Sequence, residues 1–246
     1  MRESETARPS FGRRTQPPPR SVERPADGSL RALLETPHDK RDEAWGEAFL
    51  ECVVEATFVE RHSDLVSPAG HHAYAVAVAN GEASAMTFAR VADIAVKGGF
   101  ALALFNHQGM EPGFVFKHGQ LSAFAANGAL LPLDTKPSGS FGTSVAVPGG
   151  AYITTNPGEG VLPPATRAAL RTWLEEHRGV SDVRVCLRLD GLANEQAEKT
   201  FAIDLERIPG DEDAVRQLMR DIHWYLPPDI AVGMFPDMAK DRYFEL

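Results

Sequence analysis

Residues 163–189 read PPATRAALRTWLEEHRGVSDVRVCLRL, a helix followed by a strand with a visible boundary between them. Pro163 and Pro164 open the stretch; proline is favoured at the first helical position because the N–H it lacks would have no partner there. Ala169, Leu170, Trp173 and Leu174 then recur at helical spacing, with Arg167, Arg171 and Glu175 outside the apolar stripe. Gly179 stands where a left-handed residue ends such a helix. From Val183 to Leu189 the period changes to two. Val183, Val185, Leu187 and Leu189 alternate with Arg184, Cys186 and Arg188, which predicts a half-buried strand.

The chain beyond it continues in the same manner. A polar loop from Asp190 to Glu198 leads into Phe201, Ile203 and Leu205, alternating with Ala202, Asp204 and Glu206, a second strand expected antiparallel to the first. Pro209-Gly210 breaks the chain, and Asp211, Glu212 and Asp213 place carboxylates at the positive end of a helix dipole. Val215, Leu218, Met219, Ile222 and Leu226 mark that helix's buried face, and Pro227-Pro228 stops it. Ile230, Val232 and Met234 read as a last strand. The order helix, strand, strand, helix, strand predicts an α+β layer with helices on one sheet face. At about 100° per residue, Trp224 falls about 200° from Ile222, opposite the buried stripe, while Tyr225 stays near it. An outward Trp at that point is either covered by the rest of the chain or left as a contact for a partner.

Before this region, residues 1–28 hold five prolines, six Arg and four acids with few apolar side chains, the composition of a disordered tail. Leu30–Leu34 predicts a short helix and Asp42–Thr57 a longer one, whose Trp45, Phe49, Cys52 and Val53 share a face meant for the first sheet. A strand begins at Thr57. Ala73–Ala79, Asn80-Gly81 and Glu82–Phe88 together predict a hairpin, since Asn-Gly supplies the positive φ angles of a tight type I′ turn. Phe88–Lys97 reads as a helix capped by Gly98-Gly99, and the apolar run Phe100–Phe105 as the central strand of the first sheet. Asn106 and His107 leave the end of that strand, a frequent place for a binding site. Phe114–Phe116 gives a strand and Gly119–Ala126 a helix. These patterns divide the chain into a tail (1–28), a first α+β domain (29–136), a Gly/Ser-rich linker (137–148) and a second α+β domain (149–246).

The run from Tyr152 through Pro163-Pro164, the Val183–Leu187 strand, the Phe201–Asp204 strand and the helix ending at Tyr225-Leu-Pro-Pro228 resembles the C-terminal domain of the SseB family, bacterial "enhanced serine sensitivity" proteins. Leu30–Val59 is similar to the start of that family's N-terminal domain. The middle, Met86–Leu131, departs from it: the entry to the central helix is Met86-Thr-Phe-Ala89 in place of a Pro-Phe-Thr-Ser type. The resemblance implies two mixed α/β domains and a bacterial origin. It brings no catalytic residues with it, and the serine label describes a cell phenotype.

Composition narrows the function classes. Net charge is −9, and because the tail is basic the remainder is more acidic still, which opposes a phosphate backbone and sets nucleic acid aside as a partner. No apolar run reaches the ~18 residues of a membrane span, and no apolar segment of the signal-peptide kind opens the chain, so a cytoplasmic protein is expected. Cys52 and Cys186 stand alone, outside any C-x-x-C pair, and read as structural thiols. His62, Asp64, His71 and His72 lie close together but lack a ligand spacing, so no metal site is assigned; neighbours His71 and His72 would face opposite ways on a strand. Ser138–Ser144 is Gly-rich but lacks the Lys of a phosphate loop and the spacing of a nucleophile elbow, and no cofactor is expected. What remains is a non-catalytic binding or interaction module, with Asn106, His107, Trp173, Trp224 and Tyr225 as candidate contact residues for a protein or a small metabolite, self-association staying open. The alternative is a small-molecule enzyme with its site between the domains; a perturbed His107 or His118 in a polar cleft would favour it.

Overall fold

The computed structural model describes residues 29–61, 65–106, 109–135, 142–143, 152–190, 198–204, 211–235 and 240–246. The expectations for the 1–28 tail, for His62 and Asp64, and for His107 lie outside these residues, as does most of the 137–148 stretch.

The fold is α+β, with two mixed sheets and six α-helices among the described residues. In the first half, α1 (Leu30–Glu35) is capped by Ser29 and α2 (Glu43–Glu55) by Asp42, whose carboxylate accepts from the Trp45 amide at 2.8 Å. The strands are β1 (Thr57–Glu60), β2 (Leu65–Val66), β3 (His72–Val78), β4 (Met86–Thr87), β5 (Ala101–Phe105) and β6 (Phe114–Phe116). They run in the order β4-β1-β3-β5-β6, with β2 also on β3. α3 (Phe88–Gly98) carries the chain between the parallel strands β3 and β5, and Gly99 ends it at φ 74°. α4 (His118–Asn127) follows β6. One sheet face, through Phe58, Val76, Leu102, Leu104 and Phe116, packs on the helices in a single apolar core that includes Phe49 and Trp45.

Two expectations are corrected here. Asn80-Gly81 does not join a hairpin: β4 pairs with β1, so β3 is flanked by β1 and β5. Gly81 does take a positive φ of 85°, so the dipeptide marks a left-handed turn while saying nothing of which strands it connects. The hairpin lies at the other end of β3. Ser67–Gly70 turns β2 into it, with the Ser67 amide donating to the His71 carbonyl at 2.8 Å. β3 also takes the central place in the strand order that the sequence assigned to residues 100–105.

The second half contains β7 (Gly142–Thr143), β8 (Tyr152–Thr155), α5 (Pro164–Arg178), β9 (Arg184–Asp190), β10 (Glu198–Ile203), α6 (Glu212–Ile222), β11 (Ala231–Met234) and β12 (Phe244–Glu245). β9 and β10 are antiparallel as expected, with Phe201 opposite Leu187. α6 returns the chain so that β11 runs parallel to β10. Gly142–Thr143, inside the expected linker, pairs with β11 and so belongs to the second sheet. Both helices pack on one face of that sheet, where Val185, Leu187, Phe201, Ile203 and Val232 meet Leu170, Leu174, Leu218 and Ile222. On the other face Arg188 is stacked between Tyr152 and Phe235, 4.1 and 4.2 Å from the ring centroids, and paired with Asp190 at 2.8 Å. Among the described residues no helix is long and apolar enough to cross a membrane.

Candidate seam site between the two sheets

The expected helix over 211–226 is two elements. α6 stops at Ile222 and a 3-10 turn, His223–Tyr225, follows before Pro227. The tighter turn advances each residue by about 120° rather than 100°. Tyr225 is buried, in keeping with its place near the stripe, and Trp224, off the stripe, is half-buried because His71 of the first half covers it.

What these residues meet is the first half of the chain. The Ser67–Gly70 turn presses against α5, and the Trp173 indole N–H donates to the Ala69 carbonyl at 2.9 Å. His71, only 3% exposed, lies nearly parallel to Trp224 (centroids 4.7 Å, 6°) and stacks on Trp173 at 5.1 Å from its other neighbouring element. Tyr225 meets the same imidazole edge-on, with its hydroxyl 3.4 Å from His71 Nδ1. Gly70 takes a positive φ of 84°, which favours glycine, and a Cβ there would come within 2.6 Å of the His177 ring, which would have to move aside.

A second contact is built on α4. His118 is fully buried: its Nδ1 lies 3.0 Å from the Phe100 carbonyl and its Nε2 2.8 Å from the Thr166 hydroxyl. A carbonyl can only accept, so Nδ1 carries the proton and Nε2 accepts from Thr166. Ser122 then donates to the Thr166 oxygen at 3.1 Å. The chain Ser122 to Thr166 to His118 to the Phe100 carbonyl joins α4 and the residue before β5 to α5 with each bond's direction assigned. Beside it Gly119 faces the Leu226 backbone so closely that a Cβ would overlap the carbonyl, which is main chain and cannot swing aside.

Burial sets the protonation of these groups. Burial lowers His71, His118 and His223 each to about 4, so all three are neutral near pH 7. For His71 the positive charges of His177, Arg178, Lys117 and His72 add to burial, and for His223 Lys117 does. Lys117 is itself lowered by burial, and the Tyr225 phenol is raised by burial and by Asp221. Asp221 is engaged by Arg178 and by the Gln217 amide at 2.8 Å. Cys186 is free and buried, its thiol pushed up to about 11 by burial, in keeping with a structural role.

Next to the turn, the two halves leave a cleft of about 360 Å³. Phe100, Trp173 and Tyr225 line it with aromatic rings, Gly98, Gly99 and Ala169 with small residues, and His72, Lys97, Glu176 and His177 with polar groups. Of the residues singled out in the sequence, Trp173 and Tyr225 line this cleft and Trp224 lies behind it on His71. Asn106 is elsewhere, its amide donating to Glu35 at 2.6 Å at the end of α1. His71 and His72 do face opposite ways, one buried and one exposed. Among the described residues no group of three or more His, Cys, Asp or Glu is placed to hold a metal. Sequence reasoning did not find Thr166, Ser122 or Gly119. Their partners are 44 to 107 positions distant, and no local pattern encodes them. No protein-family model, no curated protein and no solved structure matches the chain.

Proposed function

We propose that the chain is a cytosolic, non-catalytic binding module of the SseB type, and that it holds a small metabolite in the cleft between its halves. The observation that carries the reading is the cleft's construction. Both halves wall it, its volume of about 360 Å³ lies at the small end of ligand pockets, and an apolar aromatic interior with a few polar groups is the usual composition of such sites. The buried imidazole of His118 adds support. Its low pKa is of the kind found at catalytic centres, but both ring nitrogens are committed to Phe100 and Thr166, which suits a structural group better than a general base.

Thr172 lines the cleft from an exposed position on α5, so Thr172→Trp fills it without disturbing the core. Native mass spectrometry of the wild type after exposure to lysate metabolites is expected to show a retained small molecule that the variant lacks. A wild type that retains nothing, or a variant that retains the same species, refutes the proposal; turnover of the captured molecule would replace it with the enzyme reading.

A further inference from the structure

We infer that the seam is a proton-sensitive joint: acid charges the imidazoles of His71 and His118, and the two halves part while each keeps its own sheet and helices. The inference stands on what faces these two rings. Around His71 are Trp173, His177 and Arg178 from α5, Trp224 and Tyr225 from the 3-10 turn, His72 from β3, and Lys117 from the start of α4. Asp221 of α6 acts on Tyr225 and is already engaged by Arg178 and Gln217. Glu176 is at the cleft, on the same helix as His177. Around His118 the partners are neutral: the Phe100 carbonyl, Thr166, Ser122 beyond it, and the Tyr225 ring at 5.7 Å. His223, the third imidazole of the seam, has Lys117 as its charged neighbour and the Pro228 and Ile230 backbone as partners.

A proton on either ring therefore meets desolvation and, at His71, further positive charge. Parting the halves returns both rings to water, where an imidazole titrates near 6.5. The parted state binds more protons than the closed one between that value and about 4. By linkage, falling pH through this window favours parting, and above it the closed form loses nothing. The halves can survive separation because each has its own apolar core on its own sheet. The seam contact that a proton breaks directly is at His118, where a protonated Nε2 can no longer accept from the Thr166 hydroxyl.

The test uses the full chain. X-ray scattering and far-ultraviolet circular dichroism are followed from pH 7.5 to 3.5. The radius of gyration is expected to rise between about pH 6.5 and 4 while the dichroism holds. His71→Phe keeps a ring in the stack and removes one titrating group, so its midpoint should move to lower pH. A constant radius down to pH 4, a simultaneous loss of dichroism, or an unmoved midpoint in the variant overturns the inference. Should the variant not fold, nuclear magnetic resonance of the wild-type histidine rings decides: rings of His71 and His118 that titrate at ordinary values without any expansion contradict it, and rings that stay neutral until expansion begins support it.

Discussion

Phe49 and Thr166 are both fully buried, and they are held in different ways. Phe49 is in the core of the first half, stacked on Trp45 at 4.8 Å and packed against Phe114 and Phe116. Its surroundings offer dispersion and exclusion from water, which depend on volume and only loosely on direction. Thr166 is in the seam, where it touches the other half through one donated and one accepted hydrogen bond. The cores can absorb volume-conserving changes, whereas the seam depends on donor matched to acceptor and on a missing side chain at Gly119. The tolerance of a buried site follows from its chemistry as much as from its depth.

The comparison can be broken at several points, the largest effect coming from the core. Phe49→Ala should cost about 3–5 kcal/mol through lost burial and a residual cavity, read as a lower urea midpoint. Gly119→Ala should cost about 3 kcal/mol, since the added carbon meets main chain at Leu226. It should also divide a single calorimetric transition into two, because the halves then melt separately; one unshifted transition would mean that the seam yields easily. Trp173→Phe is the smallest. It keeps a ring against His71 and leaves the Ala69 carbonyl without its donor, for about 1 kcal/mol.

The same contrast explains what the sequence disclosed. The cores are written locally. Val183–Leu189 alternates, Leu170, Trp173 and Leu174 recur at helical spacing, and the elements they predict form where expected. Asn80-Gly81 misled because a left-handed glycine announces a turn but not the pairing, which β1 decided by accepting β4. Trp224 reads as lying off the stripe of α6, either covered by the rest of the chain or open to a partner; the structure takes the first, with His71 stacked on it, and no local pattern names that cover. The seam was least legible. His71 meets Tyr225 across 154 positions and Trp173 reaches Ala69 across 104, and neither pairing leaves a periodic trace. Its aromatic members could be named from their types, while Ser122 and Thr166 look like ordinary helix residues.

The central claim is that a directed hydrogen-bond chain, and not apolar contact alone, joins the halves. A double-mutant cycle between His118→Leu and Thr166→Val, measured by urea unfolding, tests it most directly. Each single change leaves a buried polar partner unsatisfied and should cost about 1–3 kcal/mol. The double change removes both groups, so its cost should fall short of the two singles combined by about 1 kcal/mol or more. Additivity to within about 0.5 kcal/mol would contradict the account and leave the seam as an apolar contact like the cores it separates.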